Sequence, residues 1–201
     1  MIGGFGRMGA GFGRLGASSP RKKAITLLSN ATNVASITLN GLIVPDQQTS
    51  EGLLIKSYAS VWVEIAQRLG EDWGLAFQLS DRQWEEMLAG AMSAEGYEVT
   101  LTPRSGDHGR DVIAVKPGVG CLRILGSMKA YAPNRLVDRA HVHEMLGVLS
   151  TEANVSKGII ATTSDFAPRI EEAPGMKQVL PYRLELINGH GLQRWLADLA
   201  E

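Results

Sequence analysis

The chain has 201 residues with 21 acidic and 20 basic side chains, room for one domain of ordinary size plus decoration. Its net charge of −1 excludes the global basicity of a protein that coats nucleic acid indiscriminately, while 44% hydrophobic residues suffice for a buried core. No apolar run reaches the length of a membrane helix, and the single cysteine, Cys121, excludes an internal disulfide and fits a reducing, cytoplasmic setting. Arg7 and Arg14 near the N-terminus are not joined by an apolar stretch of the kind a secretory signal needs.

Residues 4–10 and 11–17 form a tandem repeat, Gly-Phe-Gly-Arg-Met-Gly-Ala followed by Gly-Phe-Gly-Arg-Leu-Gly-Ala. So much glycine is costly to order and offers little to bury, so residues 1–19 read as a flexible tail. The spaced Phe and Arg suit either stacking on bases or docking on a partner subunit. No Lys-Ser or Lys-Thr closes the repeat, so it is not a phosphate-binding loop. Residues 20–72 read as an accessory arm. Ser36–Leu39 and Leu42–Val44 suggest short strands about Asn40-Gly41, a hairpin signal. Leu54, Tyr58, Val61, Trp62, Ile65 and Leu69 recur at helical spacing and predict a helix over 53–69.

From residue 73 to 201 the pattern is that of one domain. Ser80 or Asp81 can cap a helix running to residue 94 and ending at Gly96. Its apolar face carries Trp84, Met87, Leu88, Ala91 and Met92. Glu85 falls at the border of that face and Glu86 nearly opposite, which singles out Glu85 as the acid able to lean over a sheet. Strands are expected at 97–103, 111–116 and 121–129, then a helix at 137–152 and a strand at 157–163. A short helix after Ser164, a strand at 183–188 and a terminal helix from Gly191 complete the series. Strands in a row followed by helix–strand alternation predict a mixed α/β sheet with helices packed against it.

The chemistry gathers where two of these strands meet. Asp111 opens the apolar strand Val112-Ile113-Ala114-Val115, and an acid at the mouth of a buried strand needs a partner. Lys129 ends the next strand, and alternation puts Ser127 on the same side. A carboxylate that can hold a divalent metal, beside an ammonium that can steady charge on a phosphate or attacking water, suits phosphodiester hydrolysis. The residues alone leave a structural Asp–Lys ion pair or a turn aspartate as the alternative. Asp107, in a loop with Gly106 and Gly109, reads as a turn former. Between 101 and 140 seven bases (Arg104, Arg110, Lys116, Arg123, Lys129, Arg135, Arg139) face three acids (Asp107, Asp111, Asp138), a local positive region suited to phosphate. His141 and His143, at i and i+2 on a helix without a cysteine pair, do not form a zinc site; they read as solvated or as phosphate contacts. Ser164 reads as a helix cap and Cys121 as a small strand residue.

The ordered set Trp84-Glu85, Gly109-Arg110-Asp111-Val112-Ile113-Ala114 and Lys129-Ala130-Tyr131 resembles the Mrr-like restriction endonucleases of the PD-(D/E)xK nuclease superfamily. The likeness continues through Val142–Leu149, Lys157–Phe166 and Leu186–Gly189, covering roughly residues 73 to 197. It implies a restriction-endonuclease-like fold and magnesium-dependent cleavage of DNA, in many relatives for defence against foreign or modified DNA. It further implies Asp111 and Glu85 as Mg2+ ligands and Lys129 as the residue that orients or activates water. A homodimer would suit cutting of both strands. Ser127 stands where the family has Glu or Gln. Serine is too short to replace a carboxylate as a direct magnesium ligand, but it can hold the ion through a water. The competing expectation is a DNA-binding or assembly module that keeps the fold without the chemistry.

Overall fold

One edge of the seven-stranded sheet is antiparallel and the other parallel, and the change occurs at its fifth strand. The computed structural model describes residues 41–103 and 109–201; the glycine-rich repeat, Ser36–Leu39, Arg104 and Asp107 lie outside the described residues. In chain order the elements are β1 (Ile43–Gln48), β2 (Leu53–Tyr58), α1 (Ser60–Glu71), a 3-10 segment (Trp73–Gln78), α2 (Asp81–Ala94), β3 (Glu98–Leu101), β4 (Val112–Lys116) and β5 (Leu122–Lys129). There follow α3 (Arg139–Thr151), β6 (Lys157–Thr162), a 3-10 turn (Ile170–Glu172), α4 (Met176–Val179), β7 (Leu184–Ile187) and α5 (Gly189–Leu199). The seven strands lie in sequence order. β1 to β5 pair antiparallel, whereas β5–β6 and β6–β7 are parallel, connected by helical crossovers.

Alternation along the strands divides the core in two. Val112, Ala114, Ile124 and Met128 pack with α1, α2 and α5 through Trp62, Trp84, Leu88 and Leu192. Ile113, Leu125 and Ile160 face the other way, against Val142, Met145 and Leu149 of α3. Covered on both faces, β5 can read as a nearly continuous apolar run, Ile124-Leu125-Gly126-Ser127-Met128. Gly126 supplies the room α2 needs, since a Cβ there would lie 3.1 Å from Leu88 Cδ2.

α2 follows its local code closely. Ser80 and Gln83 form a reciprocal capping box, and the chain leaves the helix through Gly96 at φ +83°. Trp62 and Trp84 are fully buried, and each indole N–H is satisfied, by the carbonyl of Met87 at 3.0 Å and of Ala76 at 2.9 Å.

Two expectations are corrected. The helix predicted over 53–69 begins only at Ser60, because Leu53–Tyr58 is a strand that pairs with both β1 and β3. The cause sits in the preceding turn. Thr49 closes it by hydrogen bonds with Gly52, and Gly52 lies so close to the Leu101 carbonyl that a Cβ would come within 2.3 Å. The chain therefore enters β2 already laid against β3. A hairpin turn at 49–52 joins β1 to β2; the hairpin expected about Asn40-Gly41 falls on residues outside those described. No helix starts directly after Ser164 either. Val137 takes the backbone there, donating to the Asp165 carbonyl and accepting from the Ala167 amide, so helical turns wait until Ile170 and Met176.

α2 crosses α1 with almost no clearance: a Cβ on Gly90 would lie 2.3 Å from Trp62 Nε1. Gly90→Ala is expected to lower stability by roughly 1–3 kcal/mol in urea unfolding, since the buried indole has nowhere to go. An unchanged midpoint would show that this contact yields.

Candidate active site

The site forms at the end of the sheet where β4 separates from β5. Thr102, just beyond β3, fixes the base of the loop; its amide and hydroxyl both donate to the Asp111 carbonyl, and the hydroxyl also to that of Arg110. The Asp111 amide donates to the Gly126 carbonyl at 2.8 Å, and its carboxylate accepts from the Met128 amide at 2.5 Å. An acidic side chain thus occupies a main-chain donor of β5 where the ladder ends, a charge-assisted hydrogen bond. The amide it holds lies between Ser127 and Lys129. Alternation places Ser127 and Lys129 on the α3 side with Leu125, and Asp111 on that side with Ile113.

Ser127 is 2% exposed, and its hydroxyl has no hydrogen-bond partner among the described residues. Lys129 is half-buried, with no acid within ion-pairing distance among the described residues. Its backbone is held firmly: the carbonyl accepts from the Thr162 hydroxyl at 2.8 Å and the Tyr131 amide at 2.9 Å.

Glu85 reaches this end of the sheet from the face covered by α2. Its carboxylate is bound to Arg82 at 2.7 Å, and Arg82 also donates to the Thr102 carbonyl at 3.2 Å. A continuous path, Glu85–Arg82–Thr102–Asp111, therefore connects the helix acid to the strand acid. The Asp111 carboxylate meets the main chain between Ser127 and Lys129 directly, whereas Glu85 is connected to Asp111 only through Arg82 and Thr102. Among the described residues no three His, Cys, Asp or Glu side chains gather as a metal-binding group. A hydrated ion, held by few protein groups, fits better: a carboxylate has about four lone-pair positions, and the buried Ser127 hydroxyl lacks a partner.

The local positive region is narrower than its composition. Arg110 is ion-paired with Glu152, Arg123 with Glu51, and Lys116 lies over the Tyr97 ring. Among the described residues this leaves Lys129, Arg135 and Arg139 without an acid partner at ion-pairing distance, all close to the end of β5. Ser164 donates to the Arg135 carbonyl at 2.6 Å; it tethers a loop and does not cap a helix.

His141 is not solvated. One ring nitrogen meets Asp138 at 2.8 Å and the other the Tyr131 hydroxyl at 3.0 Å, and Arg135 stacks 3.9 Å from the centroid of that tyrosine. Asp138 also caps α3 through the amides of Ala140 and His141. The His141 side chain, followed by the His141 amide, holds the Asp138 carboxyl below its ordinary range. His143 is exposed, as is Cys121. Sequence reasoning missed Arg82 and the Asp138–His141–Tyr131 chain. Spacing of i,i+3 marked Arg82 against Glu85, and an Asp three residues before a histidine at a helix start marked the other.

The family model for restriction endonucleases, Mrr_cat, matches residues 77–196, more than half of the chain. The chain belongs to this family. No curated protein matches the sequence. Among solved structures, the MspJI restriction endonuclease in complex with a 27-mer oligonucleotide is similar at 18% identity and a TM-score of 0.42, over 66% of this chain and 30% of that one. The DNA modification-dependent restriction endonuclease AspBHI is similar at 18% identity and a TM-score of 0.42, over 70% of this chain and 35% of that one. This chain thus spans about a third of the length of those proteins.

Two outcomes are expected. Removing an unpartnered buried hydroxyl relieves a desolvation cost, so Ser127→Ala should match wild type or gain about 1 kcal/mol in denaturant unfolding. A clear loss would reveal a partner for that hydroxyl. Because the folded-state value of Asp138 lies below its unfolded one, its contribution is complete above the unfolded value and disappears as pH falls through the folded one. Melting temperatures of wild type and Asp138→Asn should therefore converge as the solution is acidified below about pH 4. A gap that persists in acid would mean the carboxylate charge is not what separates them.

Proposed function

We propose that this member of the restriction endonuclease family is a magnesium-dependent DNA endonuclease that hydrolyses phosphodiester bonds, acting in restriction or defence against foreign DNA. One observation carries the reading: the Asp111 carboxylate lies against the amide between Ser127 and Lys129, beside a buried hydroxyl with no partner among the described residues. Asp111 would hold the ion, with Ser127 and Glu85 reaching it through water. Mg2+ in such a place polarises a phosphoryl oxygen and makes bound water more acidic. Lys129, whose backbone is fixed by Thr162 and Tyr131, orients the attacking water and stabilises charge on the phosphate. The catalytic unit is residues 73–201. Residues 20–72 are accessory to it, and within them β1, β2 and α1 are built onto the same sheet and core. Two copies acting together would cut both strands.

A second reading, a DNA-binding module without cleavage, draws on the engagement of Glu85 by Arg82 and on serine at position 127. Incubation with Mg2+ and plain, methylated or branched DNA separates the two. Wild type should cut, Lys129→Ala should lose about 2.7–4 kcal/mol of transition-state stabilisation, a hundredfold or more in rate, and chelation should abolish cutting. Binding without magnesium-dependent cleavage would favour the second reading, and Ser127→Gln would then be expected to restore activity. Equal cleavage by wild type and Lys129→Ala would overturn the assignment of the lysine.

A further inference from the structure

Beside the end of β5 lies a hollow of about 120 Å³ lined by Ala76, Phe77, Leu79, Ala130, Tyr131 and Thr163. Two of its walls are aromatic. Phe77 is 41% exposed, although the 3-10 segment carrying it is anchored by Trp73, whose indole N–H donates to the Thr163 carbonyl at 3.3 Å. Tyr131 is held at its hydroxyl by His141, and the Thr163 hydroxyl donates to its carbonyl at 2.7 Å. Arg135 stacks on the Tyr131 ring at 3.9 Å. Among the described residues Arg68, Arg82, Arg110, Arg123 and Arg169 pair with acids and Arg183 donates to main-chain carbonyls. Arg135 has no such anion, and the acids nearest to it in sequence are engaged. Asp138 accepts from His141 and the start of α3, while Asp165 accepts from the Phe166 amide and the Asn188 side chain.

A rigid aromatic wall, an exposed second ring and an arginine without an acid partner, two residues and more beyond Lys129, match the chemistry of a nucleotide. We propose that this hollow is a subsite for one nucleotide of the DNA strand, its base packed between Phe77 and Tyr131 and its phosphate paired with Arg135. The proposal rests on DNA being the substrate, as argued above. Stacking on aromatic faces is tolerant of base identity, so this subsite positions the strand without reading its sequence. It accommodates a base that is unpaired or drawn out of the duplex, because a stacked base presents only its edge.

Binding of fluorescent duplex and single-stranded oligonucleotides, followed by anisotropy across a salt series, tests it. Arg135→Gln should weaken binding about tenfold and lower the slope of log K against log salt by about 1, the loss of one phosphate contact. Phe77→Ala should weaken single-strand binding roughly tenfold with the slope unchanged, because stacking releases no counterions. Tyr131→Phe, which keeps the ring, should bind better than Tyr131→Ala. If wild type binds DNA but Arg135→Gln and Phe77→Ala match it in affinity and slope, the subsite is wrong and the DNA reading stands. If wild type binds no DNA, both fall. Should Phe77→Ala lower the melting temperature, the exposed Arg135→Gln decides alone.

Discussion

The hydrogen bond from the Met128 amide to the Asp111 carboxylate is the contact on which the site depends. An antiparallel ladder normally ends by leaving its last donors to solvent. Here an acid from β4 takes that donor on β5, so the same contact that finishes the sheet fixes a negative charge against the strand bearing Ser127 and Lys129. Thr102 holds the other side of the junction by bonding the Asp111 carbonyl twice. Position is thereby set by the main chain of three strands, which is more rigid than any loop could be.

Fixing a carboxylate in this way has an electrostatic consequence. The protein as a whole is nearly neutral, and most arginines of the described residues are matched with acids on the surface. Exposed pairs of that kind contribute little to stability, but they remove positive charge from places where an anion would otherwise bind. Lys116 aside, the described bases between residues 101 and 140 left without an ion-paired acid are Lys129, Arg135 and Arg139, and they follow one another from the end of β5 to the start of α3. These three place positive charge beside the junction that holds Asp111.

How far the sequence foretold this depends on the range of the interaction involved. α2 was readable to the residue because Ser80, Gln83 and Gly96 are local signals. β4 and β5 were readable because a strand buried on both faces is an apolar run, and alternation then placed Ser127 with Lys129. The helix expected over 53–69 failed because Leu54 and Tyr58 fit a helical stripe and a strand equally well. What decided between them was the approach of Gly52 to Leu101, a contact across 49 positions that no local pattern encodes. His141 shows the same limit: its spacing to His143 said that it is no zinc ligand, whereas its bond to Tyr131 depends on the path of the loop from β5 to α3.

Ser127 is where stability and function separate. A buried hydroxyl without a partner carries a cost of about 1–3 kcal/mol, and at this position, facing α3 with Leu125, alanine would fill the same space at less cost. Packing therefore gives no reason for serine. Nor does the strand ladder, which uses only the backbone of residue 127. On the function proposed above, a water of the ion that Asp111 would hold supplies the partner that this hydroxyl lacks among the described residues. Glu85, on the other face, is half-buried and bound to Arg82. Arg82 thereby fixes the direction of the Glu85 side chain and, through the Thr102 carbonyl, ties α2 to the strand end that carries Asp111.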